Sequence, residues 1–222
     1  METYSAIVRF FQDGGWIMYP IVLVLAIGIS IAVERWIYLT RTSASNQRVW
    51  NSIVPLLKSG NFAQVAAITR ESGTAIGTIL TYGLDRVRSA RRREDIEQAM
   101  EESLMEVVPR LERRTHYLAT FANIATLMGL LGTVMGLIEA FTAVANANPS
   151  EKASMLSSSI SVAMNATAFG LVVAIPLLLI HSVLTSKTTR IVDSLEMAAV
   201  KFLNSLSDRA PAPSAPAGTS AK

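Results

Sequence analysis

The chain has 222 residues, half of them hydrophobic and only 17% charged, well below the roughly 25% usual for soluble domains. It has no cysteine, which excludes disulfides and thiolate metal sites. The net charge of +3 and pI near 9.4 do not indicate a nucleic-acid binder, because the basic residues follow the ends of apolar segments instead of forming one face.

In chain order, residues 1–16 place Tyr4, Ile7, Val8, Phe10 and Phe11 at mostly helical spacing ahead of Gly14-Gly15-Trp16. This predicts a short amphipathic helix lying in a membrane interface, with Trp16 and Tyr19 as interfacial aromatics; an unstructured leader is the plainer alternative. A first membrane span is expected over 17–39. Ile17 to Val33 carries no charge and ends at Glu34-Arg35. Glu2 and Asp13 precede it and no A-x-A site follows, so it reads as a retained span rather than a cleaved signal peptide.

Segment 40–116 reads as helical throughout. Gly60, Gly73 and Gly83 are candidate breaks, and Asn61 is a plausible cap for the next short helix. From Arg93 the pattern is charged and helical, and Glu106 and Arg110 form an i,i+4 pair. No loop signal separates this helix from the next span, which predicts one rod from about residue 94 to about 145, with Pro109 as the place for a kink. The glutamates here read as a solvated helix face and not as a cation site.

The second span, 117–145, opens with 22 uncharged residues from Tyr117 to Ile138. Asn146, Asn148 and Pro149 supply a turn in a short loop over 146–152. The third span, 153–187, opens with 34 uncharged residues from Ala153 to Ser186, more than the roughly 20 that one bilayer crossing needs. Its helix is expected to continue over 188–209 through Ile191, Leu195, Ala198 and Phe202. Residues 210–222, rich in Ala, Pro, Ser and Gly, read as a disordered tail.

The fold class is therefore all-α: an integral membrane protein of three transmembrane helices, with two long helices extending into the cytoplasm. Twelve of the 20 Lys and Arg lie between Arg41 and Arg114, and five more follow the third apolar stretch. The positive-inside rule then puts segment 40–116 and the C-terminus in the cytoplasm, with the N-terminus and the 146–152 loop outside.

Spans two and three carry small and hydroxyl residues on defined faces. Gly129, Gly132 and Gly136 share one face of span two, as expected where helix backbones approach closely in lipid, with Thr126 and Thr133 beside them. A phosphate-cradling loop is rejected for this string, which has neither the Lys-Ser/Thr ending nor a preceding strand. Span three places Ser154, Ser158, Ser161 and Asn165 along one face, and Ala163, Thr167, Gly170 and Ala174 along another, before Pro176. The threonines either bond back to their own helix or face a hydrated or protein-filled interior. No Asp, Glu, Lys or Arg lies mid-span. Glu139 and His181, near the span ends, are the possible titrating groups. No nucleophile–base set, metal spacing or cofactor motif appears, so no enzyme activity is expected.

The strings from Ala125 to Phe141 (ATLMGLLGTVMGLIEAF) and from Asn165 to Pro176 (NATAFGLVVAIP) resemble the ExbB/TolQ/MotA proton-channel family, most nearly its ExbB branch. The resemblance covers roughly residues 10 to 205. It implies a homo-oligomeric ring, a pentamer, around two single-span partners of the ExbD or TolR type that carry the protonated Asp, with a TonB-like protein as the driven element. It also implies a bacterial inner-membrane location and a pore-lining role for Thr133 and Thr167. ExbB and TolQ chains of the usual kind carry Glu five residues before the second threonine; here that position is Val162, which leaves the branch open between ExbB-like, TolQ-like and other stator subunits. Proton and sodium coupling are both open. A non-conducting membrane scaffold is the rival from another class.

Overall fold

The computed structural model describes residues 14–87, 89–90, 92–145 and 148–207. They form α1 (Met18–Ser59), α2 (Phe62–Ser72), α3 (Ala75–Val87), α4 (Arg93–Glu112), α5 (Thr115–Ala145) and α6 (Lys152–Ser207), with no strand among the described residues. Both the helix expected before residue 14 and the tail expected over 210–222 lie outside these residues.

Met18–Ser59, Arg93–Ala145 and Lys152–Leu206 each contain a stretch long and apolar enough to cross a membrane, and only 28% of each such window is buried. Continuous apolar surface on that scale is not stable in water. The chain is an all-helical membrane protein with three candidate spans.

The helices sort into two compact units. One comprises the described part of 1–37 together with 112–186, the other 38–111 with the described part of 187–222. In the first, the core is drawn from Ile17, Met18, Ile21 and Ala32 on and before α1, Leu118, Ala122 and Ala125 on α5, and Ala163, Ala166, Val173 and Leu177 on α6. The buried positions of α5 (Thr115, Leu118, Ala122, Ala125, Gly129, Gly132, Gly136 and Ala140) follow one another in steps of three or four, the repeat of helices packed along their length. Many of its large residues, among them Leu127, Leu130, Val134, Ile138 and Phe141, are exposed, with Leu118 the large residue that is fully buried. Small inside and large outside is the arrangement of a helix whose solvent is hydrocarbon.

The second unit has a conventional core of Leu39 and Ile53 from α1, Val65 from α2, Ile79 and Leu80 from α3, Met100 and Leu111 from α4, and Leu195 and Phe202 from α6. Phe202 is fully buried and meets Phe62 edge-on, with ring centroids 6.5 Å apart. The short helices are punctuated as their residues dictate. Gly60 (φ 78°) follows α1 and Gly73 (φ 57°) closes α2, both in the left-handed region that costs glycine nothing. The Asn61 carboxamide accepts the Gln64 N–H at 3.2 Å at the start of α2.

Three expectations about the helices require correction. The rod expected over 94–145 is interrupted, and not at Pro109, which sits inside α4. The break falls at Arg113-Arg114, where Arg114 adopts φ 66°. That conformation costs an L-residue roughly 1–2 kcal/mol; here it accompanies an ion pair of Arg114 Nη1 with Glu34 Oε2 at 3.5 Å. Gly83 is no break either. It lies within α3, and a Cβ there would fall 2.7 Å from Met100 Sδ and 3.2 Å from Phe202 Cε1, so the glycine makes room for two core side chains. Finally, segment 40–116 is not helical throughout: residues 89–90 and 92 form a turn, and Asp95 reaches back to accept the Arg92 N–H at 3.1 Å and start α4.

Replacing Phe202 by Ala removes the largest fully buried side chain of the second unit. It is expected to destabilise the protein by about 3–5 kcal/mol, read as a lowered thermal midpoint in detergent by circular dichroism.

Candidate functional site

The contact between α5 and α6 begins with glycine. A Cβ on Gly129 would lie 3.1 Å from Thr167 Cα, 3.2 Å from the Ala166 carbonyl oxygen and 3.3 Å from Gly170 Cα. A Cβ on Gly170 would lie 2.7 Å from the Ala125 carbonyl oxygen and 3.1 Å from Gly129 Cα. These neighbours are backbone, which cannot turn aside. Further along, a Cβ on Gly132 would meet Ala166 Cβ at 2.6 Å, and one on Gly136 would meet Ala163 Cβ at 2.8 Å. The four glycines and two alanines form one seam.

Thr167, half-buried at that seam, donates its hydroxyl to the Gly129 carbonyl oxygen at 2.7 Å. The α-helical pattern assigns the same carbonyl to the N–H of Thr133, four residues on. One oxygen of α5 therefore serves both threonines, and a carbonyl has two lone pairs with which to do so. The Thr133 hydroxyl turns back to the Leu130 carbonyl at 2.7 Å and the Thr126 hydroxyl to the Ala122 carbonyl at 3.2 Å. Of the two behaviours open to these threonines, Thr167 bonds across helices while Thr133 and Thr126 bond within their own.

Of the other sequence-predicted residues, Ser161 is exposed and Asn165 half-buried. Pro176 is exposed inside α6, about 240° round the helix from Gly170 at 100° per residue. It is not part of the seam. Glu139 is exposed on α5 and His181 half-buried on α6. Among the described residues no group of three or more His, Cys, Asp or Glu is placed to hold a metal.

One residue of these contacts was missed from sequence. Gly28 on α1 is buried, and a Cβ there would lie 2.7 Å from Leu177 Cδ2 of α6, so the first span also relies on a glycine contact. A lone glycine without a spaced partner gave no signal. Val162 is half-buried, its Cγ1 3.5 Å from where a Cβ on Gly15 would stand. At the position where the resemblance calls for a carboxylate, an apolar side chain stands half-buried.

Chemically, the site offers hydroxyls, an amide and a tightly packed uncharged seam. Such a wall can hydrogen-bond water or a neighbouring helix, but it holds no acid of its own mid-span to carry a proton. Residues 71–197 match the MotA/TolQ/ExbB proton channel family, and the chain belongs to that family. It is 26% identical over 199 residues to a biopolymer transport protein ExbB homologue of Methanothermobacter thermautotrophicus, covering 89% of this chain and 69% of that one. It is 29% identical to the biopolymer transport protein ExbB of Pseudomonas putida, over 76% of this chain and 56% of that protein's length. To the Tol-Pal system protein TolQ of Haemophilus influenzae it is 34% identical, over 42% of this chain and 41% of that one.

Gly129→Val and Gly170→Val each force a branched side chain against backbone and are expected to part the two helices, lowering the thermal midpoint. Thr167→Val removes one interhelical hydrogen bond, which in membrane proteins contributes about 0.6 kcal/mol. It should shift the midpoint far less than either glycine variant.

Proposed function

We propose that this chain is the ring-forming subunit of a proton-driven motor in a bacterial inner membrane, energising TonB-dependent transport across the outer membrane. The observation that carries the proposal is the uncharged hydroxyl-bearing seam of α5 and α6, in a member of a proton channel family. Segment 40–116 and the far end of α6 lie in the cytoplasm in this reading, following the distribution of Lys and Arg. Thr133, Thr167, Thr126, Ser161 and Asn165 supply hydrogen bonds along a wetted path, and Glu139 and His181 stand near its ends.

Because the spans bring no mid-membrane carboxylate, the titrating acid comes from a single-span partner of the ExbD or TolR kind, which a homo-oligomeric ring, a pentamer, encloses. Ion flow past that acid turns ring against partner. A TolQ-like role in envelope constriction is the second reading, favoured by the match to a TolQ protein.

Thr133→Val and Thr167→Val in the assembled complex are expected to leave the ring intact by native mass spectrometry. Proton flux in liposomes should fall by about tenfold or more, the change produced by about 1.4 kcal/mol at the barrier. Thr167→Ser should retain flux. Unchanged flux in both valine variants would put the conducting path away from these threonines, and no flux in the parent complex would favour a scaffold. Strong flux through this chain without any partner would remove the need for a borrowed acid.

A further inference from the structure

The second unit contains a cavity of about 470 Å³, within the range of small-molecule sites, between α1, α3 and α6. Its walls include Asn46, Gln47, Trp50, Asn51, Lys187 and Arg190, and no Asp or Glu lines it. Two other cavities of this unit hold acids instead, Asp85, Asp95 and Glu102 in one, and Glu97, Glu101 and Glu196 in the other; Asp193, on α6 between Arg190 and Ser194, does not line this one. The lining brings together two cations, three carboxamides and the Trp50 indole, a set rich in donors.

Asn46 is the most informative member. It is only 4% exposed, and its Oδ1 accepts the Ile76 N–H at 3.2 Å. That bond fixes which end of the amide is oxygen, and it leaves the buried Nδ2 without a partner among the described residues. A buried donor without an acceptor is costly, and this one stands in the wall of a cavity flanked by Lys187 and Arg190. The Lys187 ammonium is positioned by donating to Thr40 Oγ1 at 2.5 Å, and Arg190 lies one turn further along α6. A guanidinium and an ammonium beside neutral amide donors match a group with several acceptor oxygens.

We propose that this cavity binds a phosphate-bearing anion, held by Arg190 and Lys187 with the amides of Asn46, Gln47 and Asn51. Lys187 is the first charged residue after the 34 uncharged positions 153–186. A bilayer headgroup phosphate and a soluble polyphosphate are therefore the two sources of that chemistry. The site is independent of the motor reading: a chain that supports proton flux but binds no phosphate keeps the one and loses the other.

The test uses the full chain without a partner. Pyrophosphate is titrated into detergent-solubilised protein, and retention of phosphatidylglycerol over phosphatidylcholine is measured by native mass spectrometry from mixed nanodiscs. Pyrophosphate binding identifies a soluble anion; selective phosphatidylglycerol retention without it identifies a headgroup. In either case the Lys187→Gln/Arg190→Gln double variant should lose about tenfold or more in affinity, as expected when charge-assisted contacts are removed. Gln47→Glu, a change at an exposed position that places a carboxylate in the lining, should weaken binding independently. Lys58→Gln/Arg86→Gln, equal in charge but outside the cavity, should bind like the parent. Binding of neither probe, or equal losses in the two double variants, would overturn the proposal.

Discussion

Close approach of two helix backbones in an apolar solvent is the constraint on which the membrane-spanning unit depends. Lipid tails are as apolar as leucine, so nothing resembling a hydrophobic push drives α5 onto α6; what remains is contact and hydrogen bonding. Gly129 and Gly170 provide both by having no side chain. Their backbones come near enough that a Cβ on either would meet backbone atoms of the other helix, and only at that separation does the Thr167 hydroxyl reach the Gly129 carbonyl. A glycine in a helix costs about 1 kcal/mol relative to alanine, a cost the seam offsets through dispersion contacts along several turns. Beside the seam, large residues of α5 such as Leu127, Leu130 and Phe141 are left to face outward.

The same constraint shapes the chemistry. At the seam, hydroxyls are occupied with carbonyls of α5, and the Val162 side chain near Gly15 is apolar. An interior so arranged is polar without being charged. An ionised side chain at mid-depth would be expensive there, and the seam has none. Charge is concentrated instead in the second unit, where one cavity is lined by Lys187, Arg190 and Asn46 with no acid and two others hold carboxylates.

Several local features were legible because a single residue type dictates them. Asn61 caps α2, and Gly60 and Gly73 take positive φ. Gly129, Gly132, Gly136 and Gly170 announced themselves by spacing. Pro109 and Gly83 misled for a shared reason: both disfavour helix intrinsically, but propensity is a weak prior that packing overrides. Gly83 is needed inside α3 to admit Met100 and Phe202, while the real break at Arg114 occurs at a residue with no breaker signature, beside an ion pair to a residue 80 positions earlier. Gly28 was missed because its partner, Leu177, lies on a helix far along the chain.

The sequence by itself determined the helical membrane class, the three apolar stretches and the faces on which small and hydroxyl residues lie. Those depend on composition and on a 3.6-residue period, which are properties of the chain alone. Which threonine bonds across to a neighbouring helix and which bonds to its own, that Gly28 packs against Leu177, and that Asn46 comes to line a cavity with Arg190 were decided only by tertiary structure. Each depends on a distance between residues far apart in the chain, and no local pattern encodes such a distance.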